Sequence, residues 1–372
     1  MDTNTHTPDA QSQTIGQRGV IAMSGGVDSS VAAALLREQG YDAVAVSMRL
    51  YEAPPRSDRS CCSPDDLFDA RSVAAMLDIP FYVANYVEAF QQTVIDYFVE
   101  EYRRGRTPNP CVACNNHLKF DVLLGRTRAL GGAWLATGHY ARIEYDGERH
   151  KLLKGVDPTK DQSYFLCGLP RDLLGRIRFP LGAMTKDEVR DHAERLGLPT
   201  AQKAESQEIC FVTGKSYKDF VRQRLDGQEV RPGNLVMDDG TILGQHDGVH
   251  RFTIGQRKGL GVAWSEPLFV QRIDVESGDV IVTTRKGLDA HSFVAERCNW
   301  LRWDVPPESF EAEVKIRYRS RPVKCRVTSR RDGRQVQVEF EQPQRAVAPG
   351  QYAVFYDGDE VLGGATIEAA LF

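Results

Sequence analysis

At 372 residues the chain exceeds the roughly 250 that one hydrophobic core usually serves, so two or three domains are expected. A composition of 41% hydrophobic and 26% charged residues excludes a wholly disordered chain. The net charge of −4 excludes a protein that coats polyanions through its total charge, so any nucleic-acid contact has to use a local basic patch.

Residues 1–17, MDTNTHTPDAQSQTIGQ, are polar, lack the basic and apolar regions of a signal peptide, and read as a disordered tail. From 18 to about 138 short apolar runs alternate with helical patterns, the order of a parallel sheet covered by helices. VIAMS (20–24) and DAVAVSM (42–48) read as buried strands, with SSVAAALLREQG between them as a helix closed by Gly40. SPDDLFDARSVAAMLD predicts a second helix, capped by Ser63 with Pro64 at its first position. IPFYVAN (79–85) is a third strand and VEAFQQTVIDYFVEEYRRG a long helix. The two prolines of GRTPNP exclude helix through Pro110 and leave Cys111 and Cys114 in a loop, with the next helix after Asn115. AWLATGH (133–139) is a fourth strand, completing an α/β fold with a doubly wound parallel sheet.

Past Tyr140 the pattern gives a hairpin at Gly147 and a helix, TKDEVRDHAERLGL (185–198), whose Lys186 to Glu188 start reads as ordinary surface. Beyond Phe220 short β-rich runs alternate with Gly, Pro and Asp turns, the pattern of two small, mainly antiparallel β domains. The expected division is a tail over 1–17, an α/β catalytic domain over 18–220, a β adaptor over 221–285 and a β-barrel over 286–372. No run of about 18 apolar residues suggests a membrane span. Eight unevenly placed cysteines suit a reducing cytoplasm better than a disulfide scaffold.

SGGVDSS (24–30) follows the first strand and opens the first helix, so its amides and the helix N-terminus favour an anion in one small volume. It lacks the Gly-Lys-Ser/Thr ending of a Walker loop. Cys111-x-x-Cys114 admits three readings: a redox or sulfur-handling pair, half of a metal site, or two unremarkable thiols. A structural zinc would need a second such pair, which the sequence lacks. A thiol near a helix N-terminus has its thiolate favoured, which makes Cys114 the more reactive of the two. Cys210, between Ile209 and Phe211 in SQEICFV (206–212), reads in isolation as a core thiol.

SGGVDSS by itself resembles the pyrophosphate loop of ATP-dependent synthetases that adenylate a carbonyl or amide oxygen. Together with GRTPNP and Cys114-Asn115, SQEICF, TGHYAR, KDQSYFL, TKDEVR, FTIGQRKGLG, IRYRS and PGQ, it resembles the tRNA-specific 2-thiouridylase family from about Arg18 to the C-terminus. The resemblance implies that the C2 oxygen of wobble uridine 34 is adenylated and replaced by sulfur from a cysteine persulfide, releasing AMP and pyrophosphate. It assigns the nucleophile to Cys114 and the persulfide to Cys210, with a transient Cys114–Cys210 disulfide. ATP and magnesium are the implied cofactors. Ala22, Met23, Ser24, Gly25, Gly26, Val27, Asp28, Ser29, Met48 and Gly138 would surround the nucleotide, with magnesium near Asp28.

Toward tRNA the resemblance points with Asn109, Pro110, Cys111, His139, Lys160, Asp161, Gln162, Arg317, Tyr318, Arg319 and Gln351. Read from the residues alone, Met48 serves equally as sheet packing and His139 as a structural histidine. Many family members carry aspartate where this chain has Cys111, and a thiol titrates about four to five units above a carboxylate, which puts proton transfer at 111 in doubt. An alternative reading makes Cys111, Cys114 and Cys210 the ligands of an iron-sulfur cluster with one open iron. Another member of the superfamily, using ammonia or an amino acid as nucleophile, would leave Cys114 and Cys210 without a role.

Residues 313–335 hold nine Lys and Arg against Glu313 and Asp332, and strand alternation would put Arg317 and Arg319 on one face with Tyr318 opposite. RRGR (103–106) offers a second grip on an anticodon stem. The expected partners are the anticodon stem-loop of a tRNA and a persulfide donor such as a cysteine desulfurase or a sulfur relay. Cys61 and Cys62 are placed outside the site, and Cys167, Cys298 and Cys325 read as buried or neutral.

Overall fold

The computed structural model describes residues 17–51, 63–204, 209–212, 216–225 and 232–372. The expected tail, apart from Gln17, and Cys61 and Cys62 lie outside the described residues. In chain order the first elements are β1 (Gly19–Ala22), α1 (Val27–Glu38), β2 (Ala43–Arg49), α2 (Pro64–Met76), β3 (Phe81–Asn85), α3 (Val87–Phe90), α4 (Asp96–Arg103), α5 (Pro110–Cys114) and α6 (Leu123–Ala129). They continue with β4 (Trp134–Ala136), β5 (Ala141–Tyr145), β6 (His150–Lys154), β7 (Ile177–Arg178), α7 (Lys186–Arg195) and α8 (Tyr217–Arg224). Ten further strands follow: β8 (Gly233–Met237), β9 (Ile242–His246), β10 (Phe269–Ile273), β11 (Val280–Thr283), β12 (Asp289–Trp300), β13 (Ser309–Lys315), β14 (Val323–Arg330), β15 (Gln335–Arg345), β16 (Tyr352–Asp357) and β17 (Glu360–Leu371).

The chain forms two compact units. The first contains the described residues of Met1–Gln91, Cys114–Thr213 and Asp359–Val361; the second contains those of Gln92–Ala113, Gly214–Gly358 and Leu362–Phe372. Residues 92–113, read from sequence as part of the α/β domain, therefore cluster with the β-rich unit.

In the first unit β3-β2-β1-β4-β7 form a parallel sheet in that order. The fifth strand, β7, has only two residues, too short to leave a sequence pattern. Ile21, Val31, Ala33, Ala45, Val73, Trp134 and Val189 join the core between sheet and helices. Helix α2 starts where Ser63 and Asp66 make a reciprocal capping box with Pro64 at the first position. Thr185 and Glu188 do the same for α7. The long helix read after β3 is interrupted: α3 passes through a π-helical segment, Gln91–Ile95, before α4. The expected hairpin at Gly147 is β5 with β6.

The second unit has two β modules, as the composition change after Phe220 indicated. Strands β10-β11-β8-β9 form one sheet, antiparallel except for β11 with β8, around Leu235, Phe252, Val270 and Val280. Strands β12-β15-β14-β13-β16-β17 form the other, closed into a barrel by pairing of β12 with β17 around Phe293, Val327, Val338 and Phe355. Closure removes the unpaired edges that an open sheet would expose.

Candidate active site

Strand β1 lies between β2 and β4, so the strand order reverses beside it. In open α/β sheets the crevice beyond the carboxyl ends at such a point is where ligands sit. The SGGVDSS loop leaves β1 at that point and turns into α1. Gly25 has φ +75°, and a Cβ there would stand 2.1 Å from the Asp66 carbonyl oxygen, so the loop is pressed onto the first turn of α2. Ser29 Oγ donates to the Gly26 carbonyl (3.1 Å) and accepts from the Ser24 amide (3.1 Å), while Ser30 Oγ also donates to Gly26 O (2.9 Å). Gly138, just past β4, lies so near α1 that a Cβ would be 2.8 Å from the Ser29 nitrogen. Met48 is half-buried at the end of β2.

Asp28 is the hub of the loop. Its Oδ1 accepts from Tyr140 Oη (2.7 Å) and from Lys186 Nζ (2.7 Å). Lys186 is 6% exposed and heads α7, which corrects the surface reading of that helix start. Burial on an interior-facing first turn is a tertiary property that a polar TKDEVR string does not disclose. A polar pocket beside it is lined by Asp157, Thr159, Lys160, Lys186, Asp187 and Arg190. Burial raises the Asp157 carboxyl, but hydrogen bonds from Thr159 and the Lys186 amide outweigh it and hold it below its ordinary value. Behind the loop Lys203 donates to Gly25 O (3.0 Å), Asp66 Oδ1 (2.7 Å) and Asp69 Oδ2.

The cysteine loop is corrected too. Cys111 and Cys114 lie in α5, which begins at Pro110 and continues into a π-helical segment, Asn115–Val122. Proline fits the first helical position because its missing N–H needs no partner there, and the Asn109 side chain accepts from the Val112 amide (3.2 Å). Cys111 is exposed and Cys114 buried, one helical turn apart. Asn115 Nδ2 donates to Phe165 O (3.0 Å), tying the residue after Cys114 to the KDQSYF tract. Cys210 is half-exposed in a turn closed by the Val212 amide on Ile209 O (3.0 Å), and Phe211 is buried edge-on against Phe90. Burial pushes the thiols of Cys167, Cys298 and Cys325 up to about 12, which removes them as nucleophiles.

Several residues expected toward tRNA have internal partners. His139 bonds Thr137 Oγ1 through Nδ1 (2.7 Å) and packs between Phe120 and Phe179; burial, then the nearby Lys119, hold it well below its ordinary value and neutral. Asp161 accepts from the Gly155 and Ser163 amides and from Ser163 Oγ, a turn-forming set. Gln162 Oε1 accepts from the Tyr140 amide (3.0 Å), and Lys160 lines the pocket named above. In the second unit Gln351 Nε2 donates to Thr107 O (3.0 Å) and Pro108 O (3.2 Å), bracing the chain that leads to Asn109 and Pro110.

The basic segment differs from its sequence reading. Arg317, Tyr318 and Arg319 occupy a turn after β13, closed by the Ser320 amide and hydroxyl on Arg317 O, so strand alternation does not apply to them. On β14, Lys324 faces Glu313, and Arg326 faces Glu311 on one side and Glu339 on the other, which reduces the apparent excess of positive charge. Arg106 is held by Glu101 (2.8 Å) and Glu368 (2.8 Å), and Arg103 and Arg104 both pair with Glu100.

Among the described residues no group of three or more His, Cys, Asp or Glu side chains is placed to hold a metal ion. No described helix is long and apolar enough to cross a membrane.

The parallel sheet, with its glycine-rich loop at the switch point, defines the first unit as a HUP-type α/β domain. Residues 17–214 match the family model described as tRNA methyl transferase HUP domain. Residues 218–284 match the tRNA methyl transferase PRC-barrel domain, and 290–367 the aminomethyltransferase beta-barrel domain. A protein of Geotalea uraniireducens (strain Rf4) named tRNA-specific 2-thiouridylase MnmA is 50% identical over 95% of this chain and 96% of its own length. The protein of that name from Geobacter metallireducens (strain ATCC 53774 / DSM 7210 / GS-15) is 51% identical over 95% and 98%. The chain belongs to the tRNA-specific 2-thiouridylase family. Among solved structures, a 4-thiouridine synthetase in complex with RNA and bound ATP is similar with a TM-score of 0.36 and 16% identity, over 56% of this chain and 50% of that one.

Proposed function

We propose that the protein is an ATP-dependent tRNA 2-thiouridylase that converts wobble uridine 34 to 2-thiouridine with release of AMP and pyrophosphate. The observation that carries this reading is the SGGVDSS loop at the switch point of a chain that is 50% identical, nearly end to end, to a named 2-thiouridylase. A uridine C2 carbonyl is a poor electrophile. Attack of its oxygen on the ATP α-phosphorus forms the O-adenylate and expels pyrophosphate, whose charge suits the amides of the loop and the N-terminus of α1. Asp28 is the carboxylate that would hold magnesium: its Oδ1 takes Tyr140 and Lys186, while Oδ2 accepts no hydrogen bond among the described residues. Magnesium would neutralise phosphate charge there.

The terminal sulfur of a Cys210 persulfide then attacks C2 and displaces AMP. Cys114 thiolate attacks Cys210 Sγ, breaking the sulfur-sulfur bond so that sulfur stays on C2 and a Cys114–Cys210 disulfide forms. Alternatively Cys114 attacks the persulfide first and releases hydrosulfide, which displaces AMP; both routes require two electrons from an external thiol to restore the pair. The persulfide comes from a donor protein, and tRNA is the acceptor. Cys111, exposed on the first turn of α5, is not assigned proton transfer.

Cys114→Ser and Cys210→Ser are each expected to abolish 2-thiouridine while preserving tRNA binding, read by mass spectrometry of digested tRNA beside a filter-binding assay. Wild-type product yield from either variant would remove that cysteine from the chemistry.

A further inference from the structure

The start of α7 is fastened twice, and the second fastening comes from a residue 29 positions upstream. Thr185 caps the helix locally: its Oγ1 accepts from the Glu188 amide (3.3 Å), and Glu188 accepts in turn from the Thr185 amide (2.7 Å). That box leaves the amide of Lys186, the first helical residue, to find an acceptor elsewhere, and Asp157 Oδ2 takes it (3.0 Å). Asp157 is 8% exposed and held on every side. Its Oδ1 accepts from the Thr159 amide (2.8 Å) and hydroxyl (2.6 Å), which orients the carboxylate. Its carbonyl accepts from the amides of Lys160 (3.1 Å) and Asp161 (2.9 Å), and the Val156 amide before it donates to Gly182 O (2.9 Å). A buried carboxylate fixed at backbone and side chain therefore sets the N-terminus of α7, where its negative charge also suits the helix dipole. From that start the Lys186 side chain reaches Asp28: Nζ lies 2.7 Å from Oδ1 and 5.8 Å from the centre of the Tyr140 ring, whose hydroxyl bonds the same oxygen. A lysine stem is long and flexible, so the precision of that contact depends on how firmly its backbone is held.

We propose that Asp157 is a positioning residue for the reaction: by holding the first amide of α7 it places Lys186 on Asp28, and so sets the affinity of the glycine loop for magnesium-ATP. The proposal rests on the loop being the ATP site. Asp157 itself touches neither the nucleotide nor the metal in this account; its whole effect passes through Lys186.

The test is a double-mutant cycle in the full-length protein without tRNA, reading the dissociation constant of magnesium-ATP by calorimetry. Asp157→Ala is expected to weaken magnesium-ATP about fivefold, the scale of a lost helix cap. In a Lys186→Met background the same substitution should change the affinity by less than about twofold, because the side chain that Asp157 places is gone. Asp157→Asn keeps an oxygen for the Lys186 amide and should recover most of the affinity. Asp157→Ser keeps one oxygen for the Thr159 amide two residues on, which preserves the turn if Asp157→Ala does not fold, and should weaken binding as the alanine does. Wild-type affinity in Asp157→Ala or Asp157→Ser overturns the positioning role and leaves the ATP reading standing. An equal loss with Lys186 present and with Lys186→Met does the same, since it marks a carboxylate that only stabilises the fold. A wild type that binds no magnesium-ATP overturns the ATP reading and the positioning role with it.

Discussion

Lys186 shows how one side chain changes the account of a site. In the sequence it sits in a polar TKDEVR string. In the structure its buried ammonium is 2.7 Å from the carboxylate of the glycine loop and lines a polar pocket. Lys186→Met leaves Asp28 with Tyr140 alone and removes a cation from the proposed phosphate site, so the KM for ATP should rise about tenfold or more, the scale of a lost charge-assisted contact. A steady-state ATP titration measures it, and an unchanged KM would separate Lys186 from nucleotide binding. Two histidines give a pH dependence. Burial, then a nearby cation, holds His139 well below its ordinary value, and burial, then Arg251 and Arg222, lower His250 to about 4. Below about pH 6.5 the unfolded chain takes up protons that the folded histidines refuse. Their contribution to stability is therefore complete above that pH and is lost as pH falls toward their folded values. The thermal midpoint should drop between pH 7.5 and 5, and His250→Gln should flatten part of the fall; a midpoint that rises on acidification contradicts the assignment. Of the residues expected toward tRNA, His139, Asp161 and Gln162 have polar partners within the protein, visible only once neighbours from distant sequence are known.

Among elements, those set by local chemistry were legible. The Ser63 cap with Pro64, the helix after Thr185 and the hairpin at Gly147 follow from caps and turn residues over four or five positions. Pro110 misled because proline stops a helix from inside yet starts one from its first position, and Asn109 supplies the cap. The 316–320 stretch alternates like a strand, but Ser320 closes it into a turn around Arg317 O. The glycine loop is the element on which the nucleotide reading stands. Gly25→Ala would put a methyl group 2.1 Å from the Asp66 carbonyl oxygen at a φ of +75°, and strain of that kind costs on the order of 1–3 kcal/mol. ATP affinity should fall by about tenfold or more, the equivalent of at least ~1.4 kcal/mol, with the circular dichroism spectrum preserved. Calorimetry showing wild-type affinity would mean that the loop does not hold the phosphates.

At the scale of the molecule, composition and the change of pattern after Phe220 were enough to separate an α/β region from two β modules. They could not show that residues 92–113, helical and covalently continuous with the first region, cluster with the second. Charge counting along the chain could not show that Glu311 and Glu339, outside the basic segment in sequence, lie across from Arg326 in the barrel. Burial raises the thiols of Cys167, Cys298 and Cys325, which a count of cysteines along the chain cannot show. The most direct test of the whole account is a single-turnover reaction of the protein, pre-loaded with persulfide sulfur, with ATP and an unmodified tRNA, followed by mass spectrometry of position 34 and chromatography of the nucleotides. One 2-thiouridine per AMP released, with pyrophosphate as co-product, is the predicted result. Thiolation without AMP, or AMP release with position 34 left as uridine while the persulfide is intact, would contradict it.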